Sequence, residues 1–211
     1  WKQAGAMGLI IKDSGVQAVY GPKADVLKSD IQDLLESGVA IPRTEVVSTN
    51  TATSETKFKG ITEAVYSVAD GQAVSITEVK DPVFAQKMMG DGYAVEPVNG
   101  NVYAPVSGTV TSVFPTKHAV GILSDQGVEV LVHVGLDTVA LNGAPFSTKV
   151  ADGQHVQAGD LLLVADLDAI RSADRETTIV VAFTNSAEIK SVSLVNLGQV
   201  SKDSQVATVE L

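Results

Sequence analysis

From Ile61 onward the apolar residues come in short alternating runs, broken by turn signals roughly every 8–12 residues. That spacing predicts short antiparallel strands in a sandwich or barrel. The clearest run is Val128–Val134. Val128, Val130, Val132 and Val134 share one face, which must be the core face, and Glu129, Leu131 and His133 share the other, accessible one. A second apolar run, from His118 to Leu123, precedes it across the polar Ser124-Asp125-Gln126-Gly127. The two runs predict a β-hairpin with one histidine on each strand.

The chain before Ile61 has a different texture. Gly8-Leu9-Ile10-Ile11, the turn Lys12-Asp13-Ser14-Gly15 and the alternating Val16–Tyr20 predict a hairpin. Gly21-Pro22 opens a helix whose stripe is Val26, Leu27, Ile31, Leu34 and Leu35, stopped by Gly38. One hairpin and one helix cannot close a core, so residues 1–37 read as the tail of a domain whose first half lies upstream. Thr44–Thr56 is rich in Ser and Thr without hydrophobic periodicity. Residues 38–60 are therefore expected to be a linker and 61–211 the main domain.

Within the main domain, helix is scarce. Asp81-Pro82 caps a turn or two over Val83–Met89, and Asp166–Ala173 forms another. There is self-similarity. Val65-Tyr66-Ser67 followed by Gly71 recurs 37 positions on as Val102-Tyr103-Ala104 followed by Gly108. Gly153-Gln154-His155-Val156 leading into Leu161–Val164 is echoed by Gly198-Gln199-Val200 leading into Val206–Val209. Two copies of each suggest a duplicated β motif instead of a solenoid.

Composition narrows the function. A formal net charge of −10 argues against nucleic acid, which needs clustered Lys and Arg. There is no cysteine, so this chain holds no disulfide, thiolate metal site or Cys nucleophile. No stretch approaches the ~20 apolar residues of a membrane span, and none reads as a signal peptide.

The chemistry must come from His118 and His133. With a turn centred on Asp125-Gln126, paired residues sum to 251 and the histidines stand directly opposite. A bulge at Gly127 shifts the pairing by one and separates them. Two imidazoles can contribute half a zinc site, completed by a carboxylate such as Asp137 or Glu129. Alternatively, one can act as a nucleophile that needs no separate base near pH 7, the other orienting it and donating to a transferred group.

Four segments carry a resemblance. Phe84–Val95, Val102–Val110, Thr116-Lys117-His118-Ala119-Val120-Gly121-Ile122 and Leu131-Val132-His133-Val134-Gly135-Leu136-Asp137-Thr138-Val139 strongly resemble the glucose-family IIA domain of the bacterial sugar phosphotransferase system. The likeness runs from about Ile61 to Leu211. Gly15–Asp25 resembles the end of the IIB domain of the same system, whose nucleophilic cysteine would lie upstream. The chain is thus expected to be a piece of a larger transporter. The implied fold is mainly β, an antiparallel sandwich or barrel built on a duplicated hybrid motif, with a hairpin-helix remnant before it.

The resemblance implies a phosphotransferase component. Phosphorylated HPr docks, His133 takes the phosphoryl group as phosphohistidine, and the group passes to a IIB cysteine and then to sugar at a membrane IIC domain. It implies opposed rings, with His118 hydrogen-bonding the phosphate, Thr116 orienting His118 and Asp137 beside the site. Phe84, Phe114 and Val139 match a hydrophobic docking rim, with Asp81 at its acidic edge. No cofactor is implied. The expected location is the cytoplasmic face of the membrane. Lys117 stands where the family more commonly has Asn, and Leu131 where it has an aromatic, changes expected to tune partner affinity. A zinc peptidase of related fold is an alternative, but it needs an H-x-H pair that this chain lacks. A regulatory binding module is another. His155 is assigned no function.

Overall fold

The computed structural model describes residues 6–12, 15–20 and 60–211. The chain divides into two compact units, Trp1–Lys57 and Phe58–Leu211. In the first, β1 (Ala6–Lys12) and β2 (Gly15–Tyr20) pair antiparallel, Lys12 opposite Gly15, with a register shift between Ala6 and Gly8. This is the hairpin the alternation predicts. The helix expected from Gly21 and the Ser/Thr-rich segment lie outside the described residues.

The second unit is built from short antiparallel strands in three sheets. In chain order they are β3 (Thr62–Tyr66), β4 (Gly71–Ser75), β5 (Asp91–Pro97), β6 (Asn101–Tyr103), β7 (Gly108–Val113), β8 (Ala119–Ser124), β9 (Glu129–Val134), β10 (Phe146–Thr148), β11 (His155–Val156), β12 (Leu161–Ala165), β13 (Ile179–Phe183), β14 (Ser191–Leu194), β15 (Gly198–Val200) and β16 (Gln205–Glu210). Two short helices interrupt them, α1 (Pro82–Ala85) and α2 (Leu167–Ser172). Asp81 and Asp166 cap them by accepting from the Val83 and Ala169 N–H groups, as their positions in the sequence predict.

The largest sheet runs β11-β7-β8-β9-β13-β5-β4-β15. It is a palindrome of roles. β11 borders β7 at one end as β15 borders β4 at the other, and β12 pairs with β6 as β16 pairs with β3. The sequence echoes map onto these equivalent strands. Tyr66 N–H donates to the Pro105 carbonyl (2.9 Å) and Tyr103 N–H to the Val68 carbonyl (2.8 Å), the same bond made reciprocally. Gly71 and Gly108 are equivalent too: a Cβ at either would stand 2.1 or 2.2 Å from the carbonyl oxygen of Glu96 or Leu123. The duplicated motif is therefore a physical pair of half-domains, each closing the other's backbone.

The main core lies on one face of this sheet. Val128, Val130, Val132 and Val134 point into it with Val95, Ile122, Ile179, Val181 and Phe183. Each such side chain contributes ~1.5–3 kcal/mol on burial. The opposite face was expected to be accessible, and there the structure differs. A second apolar cluster, Ile76, Val79, Phe84, Ala94, Leu136, Val180 and Ala182, covers its centre. Its roof is α1 with the single 3₁₀ turn Ile76–Glu78, whose Ser75–Glu78 capping box holds it in place. Along β9, Glu129 stays exposed, Leu131 is buried and His133 is half-buried.

Candidate functional site

The two histidines are placed by the β8–β9 hairpin. Ser124 N–H donates to the Val128 carbonyl (2.8 Å) and Gly127 N–H to the Ser124 carbonyl (3.0 Å), closing a loop of Asp125, Gln126 and Gly127. Gly127 has φ +98°, the left-handed residue that ends a three-residue hairpin with a bulge. Ser124 Oγ reinforces the loop by accepting from Val128 N–H and donating to Glu63. Pairing therefore sums to 252, not 251: His133 stands opposite Ala119. The directly opposed register does not occur.

The rings nevertheless meet. Their centroids are 4.8 Å apart, edge to face at 79°. His118 is not part of the ladder's alternation. It follows Lys117, which is left-handed at φ 56°, so His118 stands at a bend ahead of β8. Its carbonyl accepts from Val134 N–H (2.7 Å), tying the bend to the end of β9. Ala119 and Val180 are the cross-strand neighbours of His133 on either side. Neither extends far, and that leaves room for a second imidazole.

Each ring has its own aromatic neighbour. Phe84 lies 5.2 Å from His133 and Phe114 lies 5.5 Å from His118, giving a row Phe84–His133–His118–Phe114. His118 is only 6% exposed. Its Nδ1 lies 2.6 Å from Thr116 Oγ1, with the donor set by the tautomer. Loss of hydration pushes its pKa below the usual histidine value. His133 is pushed down to about 3, first by burial and then by the neighbouring His118. The Gly135 backbone alone pulls the other way. It does so without a hydrogen bond of ordinary geometry: Nδ1 of His133 is buried and has no partner among the described residues. Both rings are therefore neutral near pH 7, and His133 is left with Nε2 as its outward nitrogen.

The remaining expected residues divide. Thr116 is in place against His118. Asp137 is exposed and left-handed (φ 56°), with no side-chain capping bond. Phe84 is 6% exposed, so it forms a wall of the site; the apolar side chains standing free on this segment are Val83 and Met88. Val139 is exposed, Phe114 half-buried, and Asp81 is engaged in capping α1. Leu131 is buried and cannot meet a partner directly, contrary to the expectation for that position, whereas Lys117 is exposed. His155 sits elsewhere, its Nε2 3.1 Å from Asp125. No group of three or more His, Cys, Asp or Glu stands together as metal ligands among the described residues.

Sequence reasoning missed Ala119 and Val180, whose importance follows from register, and Thr138, a buried threonine whose hydroxyl donates to the Val134 carbonyl (2.6 Å). Gly135, directly after the histidine strand, was the one available signal. It has φ +75°, and a Cβ there would lie 2.3 Å from Thr138 Cγ2.

Comparisons with known proteins identify relatives of the chain and its fold. The family described as phosphoenolpyruvate-dependent sugar phosphotransferase system, EIIA 1, matches residues 63–189. The glucose-specific EIICBA component of the phosphotransferase system of Streptococcus pneumoniae is 63% identical over 212 residues, 100% of this chain and 29% of the relative. The glucosamine-specific EIICBA component of Bacillus subtilis is 41% identical over 187 residues, 89% of this chain and 29% of the relative. The chain thus spans under a third of the length of either relative. The glucose permease IIA from Mycoplasma capricolum superposes with TM-score 0.64 at 38% identity, covering 70% of this chain and 96% of that structure.

Proposed function

The chain belongs to the phosphoenolpyruvate-dependent sugar phosphotransferase system EIIA 1 family, and on that premise we propose that His133 is the residue that carries the phosphoryl group. The observation that carries the reading is the asymmetry of the ring pair. His118 has its Nδ1 engaged by Thr116, and His133 has its Nδ1 buried. One nitrogen of each ring is left for chemistry. A neutral His133 presents the Nε2 lone pair without a separate base. The Nε2–P bond forms as the donor's N–P bond breaks, and the donor imidazole leaves. With Thr116 donating to Nδ1, His118 carries its proton on Nε2 and offers it to a phosphoryl oxygen.

Phosphoryl transfer asks chiefly for alignment and charge stabilisation, and the transfer calls on no cofactor. Phe84 and Phe114 keep water from both sides of the pair. HPr is the donor, and a IIB cysteine takes the group on toward sugar bound by a IIC domain at the cytoplasmic face of a membrane. Val83, Met88, Val139 and Phe114 supply an apolar docking centre, with Asp81 and Asp137 at its edge. Residues 61–211 are the IIA unit, 38–60 the linker and 1–37 the end of a IIB domain.

The test is incubation of the full chain with phosphoenolpyruvate, enzyme I and HPr, followed by intact mass. One acid-labile phosphoryl group is expected, absent in His133→Ala. His118→Gln should accept the group and pass it on poorly. Continued uptake by His133→Ala ends the assignment.

A further inference from the structure

The sequence holds two Asn–Gly pairs, Asn99-Gly100 and Asn142-Gly143, and the fold treats them differently. Asn99 is locked. Its Nδ2 donates to Asp70 Oδ2 (3.3 Å) and its Oδ1 accepts from the Asn101 N–H (3.0 Å). The Gly100 carbonyl accepts from the Ala165 N–H (2.8 Å), which pins the glycine as well. Asn142 is exposed, left-handed at φ 50°, and ends the single turn Thr138–Leu141. Its Nδ2 donates to the Ala140 carbonyl at 3.4 Å, a marginal bond, and its Oδ1 accepts none among the described residues. The Gly143 N–H has no acceptor among the described residues. Long bonds close the turn, Ala140 N–H to the Asp137 carbonyl (3.4 Å) and Asn142 N–H to the Val139 carbonyl (3.2 Å). Such an exposed turn opens locally at little cost.

Asparagine is a thermolabile residue, and a following glycine has no side chain to shield its nitrogen. Gly143 also lies against the histidine site. A Cβ there would stand 3.3 Å from the Thr116 carbonyl oxygen and 3.6 Å from Thr116 Cα. Thr116 Oγ1 is in turn 2.6 Å from His118 Nδ1. The backbone at Gly143 thus packs on the threonine that holds His118.

We propose that Asn142-Gly143 is a site of spontaneous deamidation whose isoaspartyl product disables the histidine pair. As the turn opens, the Gly143 amide nitrogen attacks Cγ of Asn142. The new N–Cγ bond forms, the Cγ–Nδ2 bond breaks, and the amide proton leaves with the nitrogen as ammonia. Water then opens the succinimide. Opening at the backbone carbonyl gives isoaspartate, whose main chain runs through Cβ and Cγ and is one carbon longer. The lengthened chain pushes Gly143 against Thr116 and shifts the hydroxyl that fixes His118. The effect on transfer rests on the reading of His133 as the phosphoryl carrier; the deamidation itself does not.

The experiment ages the full chain in mildly alkaline buffer. Peptide mass mapping and isoaspartyl methyltransferase labelling follow residues 142 and 99, and phosphoryl uptake from phosphorylated HPr is timed on fresh and aged protein. Residue 142 should convert, mostly to isoaspartate, while Asn99 keeps its amide. Uptake by the converted fraction should slow about tenfold, the scale of a small misplacement at a transfer site. Asn142→Gly suits the left-handed backbone and removes the amide, so its rate should survive ageing. Fresh Asn142→Asp adds the charge without the extra backbone carbon and should keep most of the wild-type rate. Conversion of Asn99 as fast as Asn142, or an intact Asn142 after ageing, overturns the proposed site. Full uptake by the isoaspartyl chain, or an equal loss in aged Asn142→Gly, overturns its link to the histidines. Failure of fresh wild type to take up phosphoryl removes the functional reading, and the mapping of 142 against 99 then judges the site by itself.

Discussion

Lowering the pH from 7 to 5 probes the burial of His133 without substituting any of its neighbours. The folded ring titrates at about 3, whereas an unfolded histidine titrates near ~6.5. The unfolded chain therefore binds this proton more tightly. The ring's contribution to stability is complete above about pH 6.5 and is lost as the pH falls toward 3. At pH 5 the folded ring is still neutral and the unfolded one is almost wholly protonated. The loss between pH 7 and 5 is then about 2 kcal/mol, a large share of the ~5–15 kcal/mol that holds a domain together. Two other buried groups have shifted pKa values. Burial lowers the His118 pKa, which adds to the loss. Burial raises the Glu63 carboxyl, which opposes it, because the folded form then holds its proton more tightly as pH falls. His133→Gln leaves both in place and removes only the ring in question. Urea unfolding by far-UV circular dichroism, at both pH values, gives the comparison. The variant should lose about 2 kcal/mol less than wild type on going to pH 5. Equal losses in the two proteins mean that His133 is not desolvated in the folded state, and the account of its reactivity fails with it.

Two substitutions test the local geometry. Lys117 is left-handed at φ 56°, a conformation Asn tolerates better, so Lys117→Asn should raise stability by about 0.5–1 kcal/mol in the same unfolding assay; no gain, or a loss, contradicts the strain argument. Thr116→Val strands the buried Nδ1 of His118 and should cost about 1–3 kcal/mol, with slower passage of phosphoryl to a IIB acceptor. Thr116→Ser should restore both, and a Val variant with normal stability and transfer would show that Thr116 does not hold the ring.

Much of the site was legible because strand alternation is a strict physical constraint. The Val row from Val128 to Val134 could bury only one face, and that alone put His133 on the other. The 37-residue echo was readable because Gly71 and Gly108 each admit no side chain. The register was not legible. It hung on whether Gly127 takes a left-handed conformation in a three-residue loop or a place in the strand after a two-residue turn, a balance of small local energies. The roof over His133 was hidden for a different reason. Ile76–Glu78 and Pro82–Ala85 are too short to leave a periodic signature, and the partners they cover, Ala94, Val180 and Ala182, are distant in sequence. Thr138 gave no signal because its hydroxyl serves one carbonyl four residues back.

The palindromic strand order also has a consequence for the sequence of events at the ribosome. β9 lies between β8 and β13, but β8 precedes it by a three-residue loop while β13 begins only at Ile179. Glu176 and Thr178, which receive the N–H groups of Leu136 and Gly135, arrive with it. A nascent chain that has passed His133 therefore owns both histidines and the hairpin that joins them, yet β9 has one bare edge and the Gly135 peptide is unheld. Such an edge invites pairing with another strand. Synthesis order and spatial order are decoupled here: the first half-domain begins at Thr62, is left at Pro97, and is finished only by β13 to β16. The geometry of the histidine pair should thus appear abruptly as residues 176–183 emerge, and not gradually with chain length.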